Sequence, residues 1–354
     1  LRLGDRGLGR TWPNPAVGAV VVRDGLLVGR GWTQPGGRPH AETEALDRAG
    51  ERARGGTLYV TLEPCRHHGR TPPCTDAILR AGIARVVSAI EDPNPEMAGR
   101  SHDLLLAAGI AVTVGIGEAA AREAHAGHIR RVRENRPHVT LKLALSADER
   151  VGLAGRRPVA ITGEETRAHV HLMRATHDAV LTGIGTVLAD DPLLTCRLPG
   201  MAGRSPVRVV FDAGLRTPPN AKLVQTAGEA PVWLLAAEDA PPERESALRM
   251  RGVDVLRIPG TGSRLDVAAA LAALAARGIT RAMVEAGPRL AGAFVAAGLV
   301  DTAVLFRAPM NIGTDGLPTL EGAPLAGITA SARFRARPAV RFGADTMTTF
   351  ERTD

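Results

Sequence analysis

Short apolar runs alternate with helical patterns along the whole chain, which is the order expected of an α/β protein. Before Pro137 the runs that carry this alternation are, in order, Val17–Val22, Leu26–Gly31, Ala41–Ala49, Thr57–Leu62, Ala77–Ala81, Ala84–Ile90, Leu104–Ala108 and Ile110–Val114. The apolar runs have the length of buried strands, and the helical patterns lie between them. The pattern therefore predicts a sheet layered with helices in the first part of the chain.

The same alternation resumes after Pro137. Strands are predicted at Val139–Leu145, Ala179–Thr182, Val207–Phe211, Val232–Ala236, Val253–Ile258 and Ala282–Glu285. Helices are predicted between them at Thr166–Arg174, Arg244–Arg251 and Leu265–Ala276. The last stretch predicts a hairpin instead, with strands at Arg333–Phe342 and Thr346–Glu351 joined by a turn at Gly343, Ala344 and Asp345.

A boundary between two domains is predicted at Pro137. The basic stretch Arg130–Arg136 ends there, and a helix should stop at this point because the residue before a proline is disfavoured in the α region. The 354 residues are enough for two domains of ordinary size, each with its own core. We therefore expect three-layer α/β domains over residues 1–136 and 137–354.

Composition narrows the class of protein. Hydrophobic residues make up 44% of the chain and charged residues 23%, and no apolar run approaches the roughly 20 residues of a membrane span. Three cysteines do not make a disulfide framework, and the first residues have no apolar signal core. We expect a water-soluble protein of the cytoplasm with no membrane partner.

The net charge of +7 comes almost wholly from arginine, which supplies 42 of the 44 basic residues. Proteins that bind single-stranded nucleic acid usually combine a basic groove with aromatic stacking residues. Here ten aromatic residues serve the whole chain, and the positive charge is spread over both halves. We interpret the charge as a composition bias and expect no nucleic-acid partner.

Three residues in the first half have the donor types of a zinc site. His40 opens a predicted helix, Cys65 follows a predicted strand, and Cys74 comes nine residues later at the start of another helix. Two thiolates and one imidazole leave a fourth position open, as in catalytic rather than structural zinc sites. This donor set favours zinc or another thiolate-binding ion over magnesium or calcium.

Glu42 stands two residues after His40. Residues at i and i+2 do not share a helix face, so Glu42 is poorly placed as a ligand but can reach a water at the metal. In zinc deaminases that water attacks an amidine-like ring carbon, while a glutamate moves protons to the departing ammonia. The sequence therefore predicts a zinc deaminase with Glu42 as its acid and base.

The loop Arg66–Pro73 separates the two cysteines and contains two histidines and two arginines. It departs from the short Pro-Cys-x-x-Cys pattern of many zinc deaminases. We expect the loop to contact substrate. The alternatives are a phosphate clamp, a solvated surface, or a metal site in which His67 or His68 replaces a cysteine.

In the second half, the strand that ends at Glu285 runs into small residues from Ala286 to Ala293 and then into a helix. Small residues let backbone N–H groups approach a phosphate at a helix N-terminus. The stretch is not G-x-G-x-x-G, so a dinucleotide site does not follow from these residues alone. A tight turn between strand and helix explains them equally well.

Several motifs of the first half resemble one family. They are Pro13-Asn14-Pro15-Ala16-Val17-Gly18, His40-Ala41-Glu42, Thr61-Leu62-Glu63-Pro64-Cys65, His67-His68-Gly69-Arg70-Thr71-Pro72-Pro73-Cys74 and Asp92-Pro93-Asn94-Pro95. Together they resemble the bifunctional deaminase-reductases of riboflavin biosynthesis. The resemblance implies a cytidine-deaminase-like first domain that hydrolyses the exocyclic amine of 2,5-diamino-6-ribosylamino-4(3H)-pyrimidinone 5′-phosphate. It also implies that Asn14 holds the base and that His67 and Arg70 face the substrate.

The second half resembles the reductase domain of the same family. The motifs are Lys142-Leu143-Ala144, Ile161-Thr162, Leu172-Met173-Arg174, the run Thr182–Pro192 and Leu194-Thr195-Cys196-Arg197. The resemblance implies a dihydrofolate-reductase-like α/β fold and hydride transfer from NADPH to the ribosyl C1′, which opens the sugar to a ribityl chain. The implied cofactor contacts are Ala144, Ala160, Thr186, Asp190, Gly287, Pro288, Arg289, Leu290, Ala291, Gly292 and Ala293. The implied substrate contacts are Pro158, Arg174, Leu194, Arg197 and Glu285.

Within the implied reductase site, Arg174 and Arg197 are the expected phosphate partners. A guanidinium offers a planar fork of donors that matches phosphate oxygens. The resemblance names no certain catalytic acid in this half, and Lys142 and Asp148 are candidates only. Cys196 has no metal-ligand neighbours in the sequence, and we interpret it as a small packing residue.

The second half also departs from the family at three positions. Glu149 replaces the glycine of a Ser-x-Asp-Gly-Arg pattern, which removes whatever backbone freedom that turn uses. Pro158 and Ala160 stand where relatives can carry Ser and Trp. Contacts made by those side chains would be missing, while contacts from the backbone could survive.

Two other functions remain open at this stage. One is a deaminase whose second domain is only a scaffold or oligomerisation module. The other is an RNA adenosine or cytidine deaminase, which the scarce aromatic residues and the evenly spread charge oppose. The leading interpretation is a homo-oligomeric enzyme that uses Zn²⁺ and NADPH on a small phosphorylated pyrimidine.

Overall fold

The computed structural model describes residues 1–69, 71–153, 159–261 and 264–353. Contacts between residues divide the chain into two compact units. The first consists of Leu1–Arg136 with Arg277–Thr280, and the second of Pro137–Ala276 with Arg281–Asp354. Each unit is built on a sheet of its own.

The sheet of the first unit has five strands in the order β2-β1-β3-β4-β5. The strands are β1 (Gly18–Arg23), β2 (Leu26–Trp32), β3 (Thr57–Val60), β4 (Arg85–Ser88) and β5 (Ala111–Val114). β1 is antiparallel to both β2 and β3, whereas β3, β4 and β5 run parallel. The C-terminal ends of β3, β4 and β5 therefore meet at the same edge of the sheet.

The helices of this unit are α1 (Ala41–Ala49), α2 (Cys74–Arg80), α3 (Arg100–Ala107), α4 (Glu118–Ala124) and α5 (Ala126–Glu134). Helix α1 lies directly on β2 because that strand has glycine at the points of contact. A Cβ at Gly29 would lie 2.1 Å from the carbonyl oxygen of Ala45, and one at Gly31 would lie 2.3 Å from that of Ala41. The missing side chains thus fix the N-terminal end of α1 against the sheet.

A ten-stranded sheet forms the centre of the second unit, in the order β11-β10-β9-β8-β14-β6-β15-β19-β17 with β18 beside β19. Its strands are β6 (His138–Leu145), β8 (Ala179–Gly183), β9 (Val207–Phe211), β10 (Val232–Ala237), β11 (Asp254–Ile258), β14 (Arg281–Val284), β15 (Thr302–Arg307), β17 (Phe334–Ala336), β18 (Val340–Phe342) and β19 (Asp345–Arg352). Two small pairs join β7 (Arg150–Leu153) to β16 (Gly316–Pro318) and β12 (Gly260–Thr261) to β13 (Arg264–Leu265).

The strands from β11 to β15 across this sheet are all parallel, and β19 is antiparallel to β15. The helices of the unit are α6 (Glu164–Ala175), α7 (Ile184–Asp190), α8 (Lys222–Gln225), α9 (Pro242–Arg249), α10 (Val267–Ala276), α11 (Pro288–Ala296) and α12 (Ala326–Thr329). Because the strands are parallel, residues that follow β8, β9, β10 and β14 all emerge at one edge of the sheet. This edge is where ligand sites of parallel sheets usually lie.

Most of the predicted elements are confirmed. Helix α1 has the predicted bounds, and each predicted strand before residue 290 has a counterpart. The C-terminal hairpin is also confirmed, although Asp345, predicted in its turn, is the first residue of β19. The single strand predicted over Arg333–Phe342 is wrong. It divides into β17 and β18 around Pro338, which has no N–H to donate to a strand ladder. No helix among the described residues is long and apolar enough to cross a membrane.

His177 is a buried neutral histidine that links α6 to β6. Its Nδ1 lies 2.7 Å from the carbonyl oxygen of Met173, so this nitrogen donates, and its Nε2 accepts from the hydroxyl of Thr140 at 3.0 Å. Burial, together with repulsion from Arg281, lowers the pKa of His177 to about 4. The folded protein therefore holds this ring neutral over a range in which an unfolded chain would protonate it.

This burial makes the stability of the fold depend on pH. Below an unfolded pKa of about 6.5, the unfolded chain binds a proton at His177 that the folded protein excludes down to about pH 4. We expect the free energy of unfolding to fall by about 3 kcal/mol over that window through this residue alone. Urea unfolding between pH 4 and 7 would show the dependence reduced in His177→Gln. The control variant His68→Asn changes an exposed ring and should keep the wild-type slope, and equal slopes in all three proteins would contradict the prediction.

Candidate active sites

The three predicted metal ligands come together at the edge of the first sheet. His40 is the residue before α1, Cys65 lies in the loop after β3, and Cys74 is the first residue of α2. The Nδ1 atom of His40 lies 3.3 Å from Sγ of Cys74 and 3.5 Å from Sγ of Cys65. All three donor atoms lie within 4.8 Å of one another.

The spacing of these donors fits a tetrahedral zinc ion. Bonds of about 2.3 Å to sulfur and about 2.0 Å to nitrogen place the two donor types about 3.5 Å apart. A hydrogen bond from Cys74, followed by one from His40, lowers the pKa of Cys65 to about 4. The same hydrogen bond and burial raise the pKa of Cys74. One thiol thus stabilises the other as a thiolate, and a soft divalent cation would ionise both.

Neither histidine of the loop between the cysteines joins this cluster. The described residues with donor atoms in mutual reach are His40, Cys65 and Cys74, whereas His67 and His68 are exposed. The loop is tied back by a hydrogen bond from the guanidinium of Arg38 to the hydroxyl of Thr71. Arg70, for which a substrate contact is predicted, lies outside the described residues.

Glu42 occupies the first turn of α1 and is only 3% exposed. Burial raises the pKa of its carboxyl to about 7, and the positive charge of His40 is the largest influence that opposes this rise. The interaction between this carboxyl and the thiol of Cys74 lowers the pKa of Glu42 and raises that of Cys74. A carboxyl held beside the donor cluster, without being one of its three ligands, has the position of a proton carrier.

Asn14 lies beside the imidazole of His40. Its Nδ2 donates to the carbonyl oxygen of Gly37 at 2.8 Å and lies 3.2 Å from Nε2 of His40. Gly37 has φ +84°, and a Cβ there would lie 2.8 Å from Cγ of Asn14. Within the described chain the amide oxygen of Asn14 has no hydrogen-bond partner, so it remains available to a ligand.

Glu63 holds the loop from Asp92 to Ser101 in place, a role that was not predicted from the sequence. Its buried carboxylate accepts hydrogen bonds of 2.9 Å from the backbone N–H groups of Asp92, Gly99 and Ser101. These bonds hold the Asp92-Pro93-Asn94-Pro95 segment against the chain that leads to Cys65. The partners are main-chain groups about 30 or more residues away, and no side-chain pattern in the sequence reveals them.

The second unit has a charged cluster at the C-terminal ends of β14 and β6. Glu285 directly follows β14, and its carboxylate accepts hydrogen bonds of 2.9 and 2.8 Å from Nε and Nη2 of Arg174. Nζ of Lys142, on the neighbouring strand β6, lies 3.6 Å from the same carboxylate. Burial alone would raise the pKa of Glu285, but Arg174 and Lys142 outweigh it and lower the pKa to about 2. The carboxylate is therefore ionised at neutral pH.

The two arginines predicted to bind phosphate differ in how far their donors are occupied. Arg174 uses Nε and Nη2 on Glu285, and its Nη1 donates to the carbonyl oxygen of Thr195 at 3.1 Å. Arg197 is exposed and makes one long contact, 3.4 Å from Nη1 to the hydroxyl of Thr195. Burial and then repulsion from Arg174 lower the pKa of Arg197, so an anion beside the two would relieve that repulsion. Arg197 is the freer of the pair.

A cavity of about 1010 Å³ opens at the same edge of the sheet. Residues that follow β8, β9 and β14 line it, and it reaches the N-terminal end of α11. Its volume is at the upper end of the range for small-molecule sites. Six of the predicted cofactor residues line this cavity: Thr186, Gly287, Arg289, Leu290, Gly292 and Ala293.

The other predicted residues of the second site lie outside the cavity lining. Pro288 and Ala291 are buried in α11, and Leu194 is buried beside the charged cluster. Ala144 is half-buried on β6 beside Lys142, while Ala160 and Asp190 are exposed. Pro158 lies outside the described residues. Gly292 is needed for packing, since a Cβ there would lie 2.0 Å from the carbonyl oxygen of Glu321, whereas Gly287 is the residue that precedes the N-terminal end of α11.

The turn that lacks its glycine keeps a left-handed backbone. Glu149 has φ +57°, and its carboxylate pairs with Arg307 at 2.7 Å. Asp148 accepts hydrogen bonds from Ser146, Ile312 and Gly313, which lower its pKa to about 2. With its carboxylate ionised and occupied in this way, Asp148 is poorly suited to donate a proton, and Lys142 is the better placed of the two candidates.

Comparison with known proteins assigns each unit to a family. Residues 5–90 match the family described as the cytidine and deoxycytidylate deaminase zinc-binding region. Residues 137–347 match the RibD C-terminal domain. The two matches fall in the first and second units, respectively.

Full-length relatives cover nearly the whole chain. Riboflavin biosynthesis protein RibD of Escherichia coli is 43% identical over 335 residues, which cover 91% of this chain and 89% of that protein. The solved structure of Acinetobacter baumannii RibD matches with a TM-score of 0.88 at 36% identity, covering 100% of this chain and 96% of that one. A Thermotoga maritima structure matches with a TM-score of 0.85 at 34% identity, covering 99% and 96%. It is described as a diaminohydroxyphosphoribosylaminopyrimidine deaminase/5-amino-6-(5-phosphoribosylamino)uracil reductase.

These matches confirm the predicted fold class, with a cytidine-deaminase-like first domain and a dihydrofolate-reductase-like second domain. They also confirm the resemblance drawn from the sequence motifs. The chain belongs to the RibD family of riboflavin biosynthesis proteins.

Proposed function

We propose that this chain carries out two consecutive reactions of riboflavin biosynthesis. The first unit removes the exocyclic amine of 2,5-diamino-6-ribosylamino-4(3H)-pyrimidinone 5′-phosphate by hydrolysis. The second unit reduces the ribosyl group of the product to a ribityl chain with NADPH. The observation that carries the proposal is the cluster of His40, Cys65 and Cys74 beside the buried carboxyl of Glu42.

In the first reaction, His40, Cys65 and Cys74 would hold zinc, which supplies Lewis acidity towards water at its open position. Glu42 would take a proton from the attacking water and pass it to the departing amine. Its place in the first turn of α1 keeps it next to the ligands and away from bulk solvent. The free amide oxygen of Asn14 would accept a hydrogen bond from the pyrimidine, with His67 and Arg70 towards the rest of the substrate.

In the second reaction NADPH supplies the hydride. The residues of the chain therefore bind and orient the substrate and the cofactor and balance their charges. The N-terminal end of α11 and the small residues after Gly287 would receive the cofactor phosphates. Arg174 and Lys142 hold the carboxylate of Glu285 in a fixed orientation, and in that orientation Glu285 would bind the substrate. Arg197 would meet the substrate phosphate, and Lys142, with Nζ 3.6 Å from Glu285, would be the proton donor of this cluster because arginine does not give up its proton.

A scaffold role alone would not call for the charged cluster and the cavity of the second unit. Buried ion pairs are costly to form and contribute little net stability, and Arg174 and Glu285 form one at the edge of the sheet where a large cavity opens. The deaminase-only alternative therefore has less support. Mass spectrometry after incubation of the zinc-loaded protein with substrate and NADPH tests both reactions at once. Exchange of amine for oxygen with two added hydrogens supports the proposal, and exchange without reduction would leave a deaminase only.

Glu42→Gln should abolish ammonia release and leave the metal bound. The amide cannot carry the proton, and general acid-base groups contribute about 100-fold to 10,000-fold to rate. Ammonia release and zinc content would be measured on the same preparation. Glu44→Gln is the matched control, since Glu44 lies on the same helix and pairs with Arg48 at 2.7 Å. A Glu42→Gln protein that keeps full deaminase activity would rule out the proton-carrier role.

Cys74→Ala should lose zinc, because two donors remain where three are needed. Cys196→Ala is the matched control, since Cys196 is an equally buried thiol outside the cluster. Elemental analysis of the purified proteins should give about one zinc per chain for Cys196→Ala and far less for Cys74→Ala. If Cys74→Ala retains a full equivalent of zinc, a histidine of the 66–73 loop would be the third ligand instead.

Arg197→Ala should weaken binding of the phosphorylated intermediate at the reductase site by about 10-fold to 100-fold, the usual effect of losing a hydrogen bond to a charged group. The measurement is KM of the reductase reaction with the phosphorylated and the dephosphorylated intermediate. The dephosphorylated compound should not distinguish the variant from the wild type. Arg167→Ala, which removes an exposed arginine of α6, should change neither value. A KM that rises equally for both compounds would argue against a phosphate contact.

A further inference from the structure

Arg216 lines the cavity of the second unit from the loop that follows β9. Its side chain is exposed, and it has no hydrogen bond or ion pair with any described residue. Other cations of this unit form ion pairs, as Arg174 does with Glu285 and Arg289 does with Glu321 at 3.5 Å. A free arginine on the wall of a large cavity is available to an anionic ligand.

The turn around Arg216 is rigidly built. The carboxylate of Asp212, which is fully buried, accepts hydrogen bonds from the backbone N–H and the hydroxyl of Thr217 at 2.7 and 2.8 Å. Leu215 is 2% exposed and has φ +52°, a conformation that costs a residue with a side chain about 1 kcal/mol or more. The residues on both sides of Arg216 are therefore anchored, and strain is tolerated to aim this one side chain into the cavity.

Strand order places Arg216 at the far end of the cavity from the charged cluster. The order β9-β8-β14-β6 puts three strand spacings between Arg216 and Lys142, or about 14 Å at about 4.8 Å for each spacing. The hydride donor must lie near the substrate contacts on β14 and β6, and the cofactor phosphates fit at α11, directly after β14. The adenosine half of the dinucleotide would then extend towards β8 and β9, where Arg216 lines the cavity.

The charges around this end of the cavity favour an additional phosphate. Arg264 is a second arginine of the lining without an ion-pair partner among the described residues. Asp239, after β10, is the acidic residue of the lining that is not paired with an arginine. An acidic side chain alone would select a ribose 2′-hydroxyl, whereas an arginine accommodates a 2′-phosphate. Two free guanidinium groups against one carboxylate leave a net positive charge.

We propose that Arg216 binds the 2′-phosphate of NADPH and is the residue by which this chain selects NADPH over NADH. The inference rests on the proposed reductase function and extends it to cofactor choice. A guanidinium can give two parallel hydrogen bonds to a phosphate, and NADH has no group to receive them. Arg264, which also lines the cavity, would add positive charge.

The test is the dissociation constant of NADPH and of NADH for the wild type and Arg216→Ala, measured by titration calorimetry without substrate. We expect Arg216→Ala to bind NADPH about 10-fold to 100-fold more weakly and NADH within about twofold of the wild type. Adenosine 2′,5′-bisphosphate should lose affinity in the same proportion as NADPH, whereas AMP should not. Arg341→Ala is the matched control, since Arg341 is another exposed arginine whose side chain has no hydrogen bond or ion pair with any described residue and is no part of the cavity.

The outcomes separate this inference from the function on which it rests. If the wild type binds neither dinucleotide, the reductase proposal itself fails. If the wild type prefers NADPH and Arg216→Ala keeps that preference, the inference about Arg216 is wrong while the reductase stands. Equal weakening of NADPH and NADH would also overturn it, and thermal melting of each variant would show whether the fold is intact. Arg216→Lys should recover part of the preference, because it restores the charge without the fork.

Discussion

Close contact between the backbones of α1 and β2 is the constraint on which the first site depends. Gly29 and Gly31 leave no side chain between helix and strand, so the backbone of α1 lies in direct contact with the backbone of β2. His40 and Glu42 stand at the N-terminal end of α1. The depth of Glu42, its raised pKa and its reach to the thiols all follow from the position of one helix. A side chain at Gly31 would move ligand and carboxyl together, and the two roles could not then be separated.

The second site depends on a buried carboxylate that is kept ionised by cations of the chain itself. Glu285 is brought to the edge of the sheet by the parallel register of β14 with β6, and Arg174 reaches it from α6. Two cations from the chain itself keep this carboxylate ionised. Because the cluster is satisfied internally, its geometry is set before any ligand arrives, as a positioning device requires.

Local patterns were enough to predict the metal cluster and much of the fold. His40, Cys65 and Cys74 each stand at a boundary between loop and helix or strand, so their residue types and spacing pointed to convergence. The contacts that could not be predicted are made between distant parts of the chain. Arg174 and Glu285 are 111 residues apart, and no pattern in the sequence around either residue indicates that they are in contact. Glu63 acts on main-chain groups, and the direction of Arg216 depends on the left-handed backbone of Leu215.

The two units also differ in where their positive charge comes from. In the first, the charge that favours an ionised Glu42 is that of His40, and an imidazole that binds a metal through Nδ1 gives up that charge. The metal must then supply it, so the ionisation of Glu42 is coupled to metal occupancy. In the second, Arg174, Arg197 and Arg216 are permanently charged. Removing the metal would therefore change the electrostatics of the first site and leave those of the second intact, which allows the two activities to be studied separately in one chain.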